Sequence, residues 1–353
     1  MSTVRQWIIL ILLVTSSPSV LGAPQARNEL HRYTLMRDRF IIDKDLKKNK
    51  YTSFFDLDLL FTAGLKSLIG DVSDANSTGS TLTKTLATAG VLGENVNVEH
   101  MLDLEVTAAA PLPYIKYKKY RILPSLFYNM DLGLAFSISN KNAGLTPTAQ
   151  VYVKKDTKMG LYNRMRWAKG EEWRLAVYQL KRADLFAAKD STAIAASGDI
   201  FDFDELSQDR TSIATDLAFV KEKERYSYLL EFQELQLGGS GKENDYGTWP
   251  MLHARYMHKF NGEWFSWSGF YGLHWRSRYK LESGLYIGLK SKLKNDWPFE
   301  FILKMSDQFL TFTPQIITKW FHFNYTMKNP YRNPYGDVWT PTIHSINLNF
   351  PFP

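Results

Sequence analysis

From about residue 97 onward, apolar and polar residues take turns along the chain. Met130, Leu132, Leu134, Phe136 and Ile138 hold one parity; Asp131, Gly133, Ala135, Ser137 and Ser139 hold the other. The same alternation runs through Tyr279 to Lys290, Phe299 to Ser306 and Phe321 to Met327. Weaker versions occupy Leu102 to Thr107, Thr148 to Lys154, Met159 to Trp167, Trp173 to Tyr178, Thr211 to Phe219, Tyr226 to Gln233, Leu252 to Phe260 and Phe265 to Arg276. Successive side chains of a strand point to opposite faces, so a period of two predicts a sheet with one apolar and one polar face. Asn261-Gly262, Lys169-Gly170-Glu171 and Lys294-Asn295-Asp296 supply turn residues between the segments. The pattern predicts about 12–14 antiparallel strands, each near the length that crosses a bilayer at a tilt.

Two stretches do not alternate. Over residues 62–95, Leu65, Leu68, Leu82 and Leu86 recur at helical spacing among Ala, Gly, Ser and Thr. This predicts a small-residue helical pair able to lie close against a wall. Ala183 to Glu205 reads as a helix followed by an acidic loop carrying Asp199, Asp202, Asp204 and Glu205. Ahead of both, residues 24–50 form a basic arm containing Arg27, Arg32, Arg37, Arg39, Lys44, Lys47, Lys48 and Lys50. Such an arm suits a solvated segment, or a contact with anionic head groups or an acidic ligand.

At the N-terminus, Arg5 precedes the apolar run Trp7 to Val14, and small residues follow up to Ala23. That order is the anatomy of a cleaved signal peptide over residues 1–22. An exported chain with Cys 0 has no disulfides, so a large core or a closed sheet must hold it. The mean hydropathy of -0.29 is too polar for a helical membrane protein, and an aromatic share of 14% is too high for a disordered chain. The net charge of +7 is spread along the chain rather than concentrated as nucleic-acid binders require.

An exported alternating sheet is either a soluble sandwich or a membrane barrel. Gly, Ser and Ala on the polar parity suit a crowded interior. Trp167, Trp173, Trp264, Trp275, Tyr279, Trp297 and Trp320 lie near strand ends, as interfacial girdles do. The expected fold is therefore an all-β transmembrane antiparallel barrel. Its expected organisation is a signal peptide (1–22), a basic arm with a first strand and helical plug (23–96), and the barrel (97–353). About fourteen strands enclose more space than their own side chains fill, and Leu65, Leu68, Leu82 and Leu86 mark the segment expected to plug it.

None of the seven histidines sits in a paired metal spacing, and no nucleophile elbow or phosphate loop occurs. No catalytic residue, metal or cofactor is expected; a hydrolase site assembled across strands is the less favoured alternative. His253, Arg255, His274, Arg276, Lys280, Glu282 and Lys290 share the polar parity of neighbouring segments. They read either as a charged lumen patch that selects solutes or as a self-paired ion network filling the barrel.

The terminal series Ile346, Leu348, Phe350, Phe352 resembles the C-terminal assembly signal of bacterial outer-membrane barrels, with Pro353 added after the aromatic residue. Phe323-Asn324-Tyr325, Asn329-Pro330-Tyr331-Arg332-Asn333-Pro334-Tyr335-Gly336-Asp337 and Thr342-Ile343-His344-Ser345-Ile346 follow one another over the final stretch. Together with a small-residue helical segment, they resemble the fatty-acid-transporter (FadL) superfamily and its TraF-like branch. Ser345 stands where that branch commonly has a basic residue. The resemblance implies either passive uptake of hydrophobic molecules or an undefined envelope role. The overall expectation is a porin-like barrel in the outer membrane of a Gram-negative bacterium, passing small or hydrophobic solutes. The alternative is a structural or envelope-assembly barrel with a closed lumen. Expected partners are the lipid bilayer, lipopolysaccharide and the barrel assembly machinery, with no nucleic acid.

Overall fold

A computed structural model describes residues 27–47, 52–77, 79–139, 147–197, 206, 209–241, 246–247, 249–293, 297–333 and 338–352. The signal peptide expected over residues 1–22 therefore lies outside the described residues. Helix α1 (Arg27–Lys47) comes first, then β1 (Ser53–Thr62), α2 (Leu65–Ser77), α3 (Thr81–Glu94), β2 (Glu99–Pro111), a short β3 (Ile115–Tyr117), β4 (Tyr120–Ser139), β5 (Thr148–Ala168) and β6 (Glu171–Asp190). A brief α4 (Ser191–Ser197) precedes β7 (Asp209–Glu222), β8 (Tyr226–Gly241), β9 (Met251–Asn261) and β10 (Phe265–Trp275). The chain ends with β11 (Leu285–Leu293), β12 (Phe299–Ser306), β13 (Phe309–Ile317), β14 (His322–Pro330) and β15 (Ile343–Pro351).

All strands but β3 form one closed antiparallel barrel of 14 strands. The first strand meets the last, with Leu59 opposite Ile346, and meets β2 on its other edge, with Leu59 opposite Leu104. β2 runs on to β4, Leu104 opposite Leu132, and β3 only adds a hairpin to β4. The barrel thus begins at β1, and α2 with α3 form an insertion after its first strand.

Parity separates the two faces. Leu126, Tyr128, Met159, Leu161, Val177, Ile213, Leu230, Tyr271, Leu285, Ile287, Leu303, Met305, Phe312 and Ile346 are exposed around the outside. Asp56, Asp58, Asp103, Glu105, Asn129, Asp131, Lys154, Asp156, Lys304, Thr326, Lys328 and Asn347 are buried within. A continuous apolar belt around a polar interior is the inside-out arrangement that lipid requires and water opposes.

One end of the barrel, where Ser53 lies opposite Pro351, carries short connections such as 169–170, 223–225 and 262–264. Trp264, Trp297 and Trp320 are exposed in connections at that end, as an interfacial girdle requires. The other end carries 63–98, 191–208 and 331–342 and is called the loop end below. Tyr279 does not join a girdle: it is buried in the lumen, and its hydroxyl donates to Asp38 Oδ2 at 2.8 Å.

Strand height is uneven. β4, β5 and β6 have 20, 21 and 20 residues, whereas β11 has 9 and β12 has 8. At about 3.3 Å per residue the tall strands reach roughly 66 Å, about twice what a bilayer core needs. Their upper outward face stays apolar (Phe136, Ile138, Ala149, Val151, Val153) and is covered by Leu68, Val72, Leu92 and Ile194 from α2, α3 and α4.

Three sequence expectations need correction. Thr148–Lys154 and Met159–Trp167 are one unbroken strand, β5. The alternation at Tyr279–Glu282 is not strand; a 3-10 turn over Leu281–Gly284 precedes β11. Ala183–Asp190 continues β6 as strand, and only Ser191–Ser197 is helical. Asp199, Asp202, Asp204 and Glu205 lie outside the described residues.

Candidate functional site

The lumen is occupied by α1, not by residues 65–94. From Leu30 to Lys44 every side chain of α1 except His31 is buried. Its 21 residues make a rod about 31 Å long, matching the bilayer core. Arg32 reaches Glu99 at the loop end of β2, Arg37 reaches Asp103 and Glu105 further down, and Lys44 reaches Glu105, Asp58 opposite it and Asp56 beyond. The helix therefore runs from the loop end towards the turn end.

Its charges are sorted by face. Arg37 and Lys44 are seven residues apart, as are Asp38 and Asp45, so each pair shares one helix face. The basic pair faces the acidic wall of β1, β2 and β4. Asp38 bonds Arg276, whose Nε lies 2.8 Å from Asp38 Oδ2. Asp43 takes Lys304 of β12 and, at 2.6 Å, Lys328 of β14. Arg39 donates to Gln308 at 2.8 Å and pairs with Asp307.

Several of these contacts close into a circuit of alternating sign. Arg37 Nε donates to Asp131 (3.1 Å), which takes Lys154 (3.2 Å), which takes Asp156 (2.9 Å). Asp156 bonds Arg182 (2.6 Å), Arg182 reaches Glu234 (3.3 Å), and Glu234 takes Arg276 (3.1 Å). Arg276 returns to Asp38, the neighbour of Arg37 in sequence. Tyr246 lies under this circuit, its ring 4.4 Å from Arg182 and 4.7 Å from Lys154. A β-bulge helps complete it. Glu234 has φ 58°, and β7–β8 register shifts beside it turn both Gln233 and Glu234 into the lumen. Gly133 gives α1 room against the wall, since a Cβ there would run into the Tyr33 side chain.

The predicted solute-binding residues are only partly brought together. His253, His274 and Arg276 are buried in the lumen. Arg276 is committed to Asp38 and Glu234; His274 Nδ1 is 2.9 Å from the Tyr279 hydroxyl. Arg255 shares the inward parity of His253 on β9, whereas Lys290 pairs with Glu300 at 2.8 Å. Lys280 and Glu282 stand exposed in the loop-end connection, 3.9 Å apart. The arrangement is a self-paired network closed around α1 rather than an accessible solute patch.

The predicted plug residues lie elsewhere. Leu68 packs on the outward parity of β4 and β5, Leu65 is buried beside it in the same helix, and Leu82 and Leu86 are exposed. Ile346 and Phe350 of the C-terminal series face outward, and Leu348 shares their parity. Phe352 instead packs edge-on against Phe54, 4.4 Å between centroids, beside an apolar cluster of the lower lumen containing Phe127 and Tyr178.

Sequence reading missed α1 because its cations outnumber its carboxylates, which suits a solvated arm. The seven-residue spacing of Arg37 with Lys44 and of Asp38 with Asp45 was the available signal.

No known protein family and no curated protein matches the chain. Among solved structures it is similar to the transport unit of the autotransporter AIDA-I from Escherichia coli (8% identity, 92% of this chain and 99% of that one, TM-score 0.40). It is also similar to CdiB from Acinetobacter baumannii (7% identity, TM-score 0.38, 85% of this chain), of which it spans 60%. A mutant porin of Rh. blastica is a third (8% identity, 85% and 98% coverage, TM-score 0.34).

Proposed function

We propose that this protein is an outer-membrane channel of a Gram-negative bacterium, exported through a cleaved signal peptide and held closed at rest by α1. The observation that supports it most is how α1 is held. Beside apolar contacts through Leu30, Phe40, Ile41, Ile42 and Leu46, its charged residues meet the wall in ion pairs, and ions regain hydration when water replaces a partner, which a wholly apolar plug cannot do. With α1 displaced, the acidic residues of β1 and β2 and the basic residues of β12 and β14 line one arc of the lumen, with β15 between β1 and β14. A charged lining of that kind favours small polar solutes. The fatty-acid-transporter resemblance implies hydrophobic solutes instead, a reading that asks for the small-residue helices inside the lumen. Insertion of the finished barrel by the assembly machinery, with Ile346, Leu348 and Phe350 as its signal, belongs to the same proposal.

The second reading is a structural barrel that never opens, favoured by the closed circuit around Arg37 and Asp38. Planar-bilayer recording separates the two. The chain has no cysteine, so Arg32→Cys and Glu99→Cys can be joined specifically by a short bis-maleimide. Brief steps are expected from the wild type, none from the linked protein, and large persistent ones after deletion of 27–47. Steps that survive linkage would overturn α1 as the gate. Silence from both wild type and linked protein, with a conducting deletion, would establish the sealed barrel.

A further inference from the structure

One histidine of the lumen lies outside the ion circuit and faces two carboxylates. His253 of β9 is fully buried, and its Nε2 lies 2.8 Å from the Tyr286 hydroxyl of β11. Its Nδ1 makes no hydrogen bond. That atom stands 3.5 Å from Glu231 Oε2 of β8 and 3.7 Å from Asp45 Oδ2 of α1. All three atoms lie within 4.8 Å of one another.

These separations are long for hydrogen bonds but suit two ligands of one ion. Atoms each about 2.1 Å from a tetrahedral centre stand about 3.4 Å apart. Tyr286 supplies the outer contact that metal-bound imidazoles use: with Nε2–H donated to the hydroxyl, the Nδ1 lone pair points at the carboxylates. A bare lone pair facing two carboxylates is repulsive, and a cation between them removes the repulsion. Arg255 and Lys304 also act on His253, and Lys304 is already engaged by Asp43.

We propose that Asp45, Glu231 and His253 bind one divalent transition-metal cation of the zinc class, clamping the C-terminal part of α1 to β8 and β9. One imidazole and two carboxylates leave a coordination position for water. The sequence hid the site because its three ligands come from three separate elements, with no shared spacing motif.

The test uses tag-free, full-length barrel in detergent, dialysed against chelator and titrated with cobalt(II). One equivalent should bind, with visible ligand-field absorption that zinc chloride displaces. Glu231→Gln and Asp45→Asn should each weaken binding at least tenfold while heat-modifiable migration confirms a folded barrel. His253→Gln, checked in the same way, should abolish the absorption. Absence of stoichiometric cobalt(II) binding by the wild type would overturn the proposal. So would folded Glu231→Gln and Asp45→Asn proteins that bind as tightly as the wild type, since the metal would then sit on other residues.

Discussion

Arg37 lies 3.4 Å from Asp103, 3.2 Å from Glu105 and 2.5 Å from Asp131, with almost no exposure to water. Methionine there keeps the length of the side chain and removes the cation these three carboxylates share, leaving Lys44 on Glu105 and Lys154 on Asp131. Breaking a buried pair from one side costs about 3–5 kcal/mol. Arg37→Met is expected to lower stability by about that amount, read from the urea midpoint of the barrel in detergent. A loss below about 1 kcal/mol would mean that water rather than α1 satisfies those carboxylates. On the outer face the sign of the polarity rule reverses. Ile287 is 56% exposed, and Ile287→Arg should cost about 2–4 kcal/mol if it lies at the bilayer midplane. Its neighbour Gly288 offers no safe inward control, since a Cβ there would meet the Leu303 carbonyl at 2.5 Å and also the Phe270 ring. Gly288→Arg should reduce the folded fraction too. A well-folded Gly288→Arg barrel, judged by heat-modifiable migration in lipid, would refute this packing.

At the scale of elements, α2 and α3 do the work of a cover. They seal Phe136, Ile138, Val151 and Val153 where the tall strands rise above lipid. Removing 65–94 should leave the barrel closed to ions while exposing that apolar wall, so the protein should aggregate in low detergent. Large conductance steps from this deletion would show that the two helices contribute to closure after all. The strands themselves were legible in the sequence, because lipid and lumen impose their parity one residue at a time. Ile287 and Gly288 declare their faces locally. The helices were legible as helices but not as to side. Leu65 and Leu68 look the same whether they meet the inside or the outside of a wall. The role of α1 was least legible, because Arg37 and Asp38 acquire meaning only from Asp131 and Arg276, distant in the chain.

Across the whole molecule, the charges that grip α1 divide by order along the chain, with Asp307 on Arg39 the exception. Asp56, Asp58, Asp103 and Glu105 come from β1 and β2; Lys304 and Lys328 come from β12 and β14. The seam that closes the cylinder joins β1 to β15, the first and last strands. Without α1, the acidic residues of β1 and β2 and the basic residues of β12 and β14 would lose the partner they share. A rod in place while the sheet forms would act as a mandrel: the early strands would lie down against Arg37 and Lys44, and β12 and β14 would be drawn round by Asp43 until the seam meets. Assembly should then have a fixed sequence of events. Cysteine pairs linking α1 to β2 should become reactive to a bis-maleimide before pairs linking α1 to β14 during folding into liposomes. Simultaneous capture of both would mean instead that the rod is threaded into a cylinder already shut.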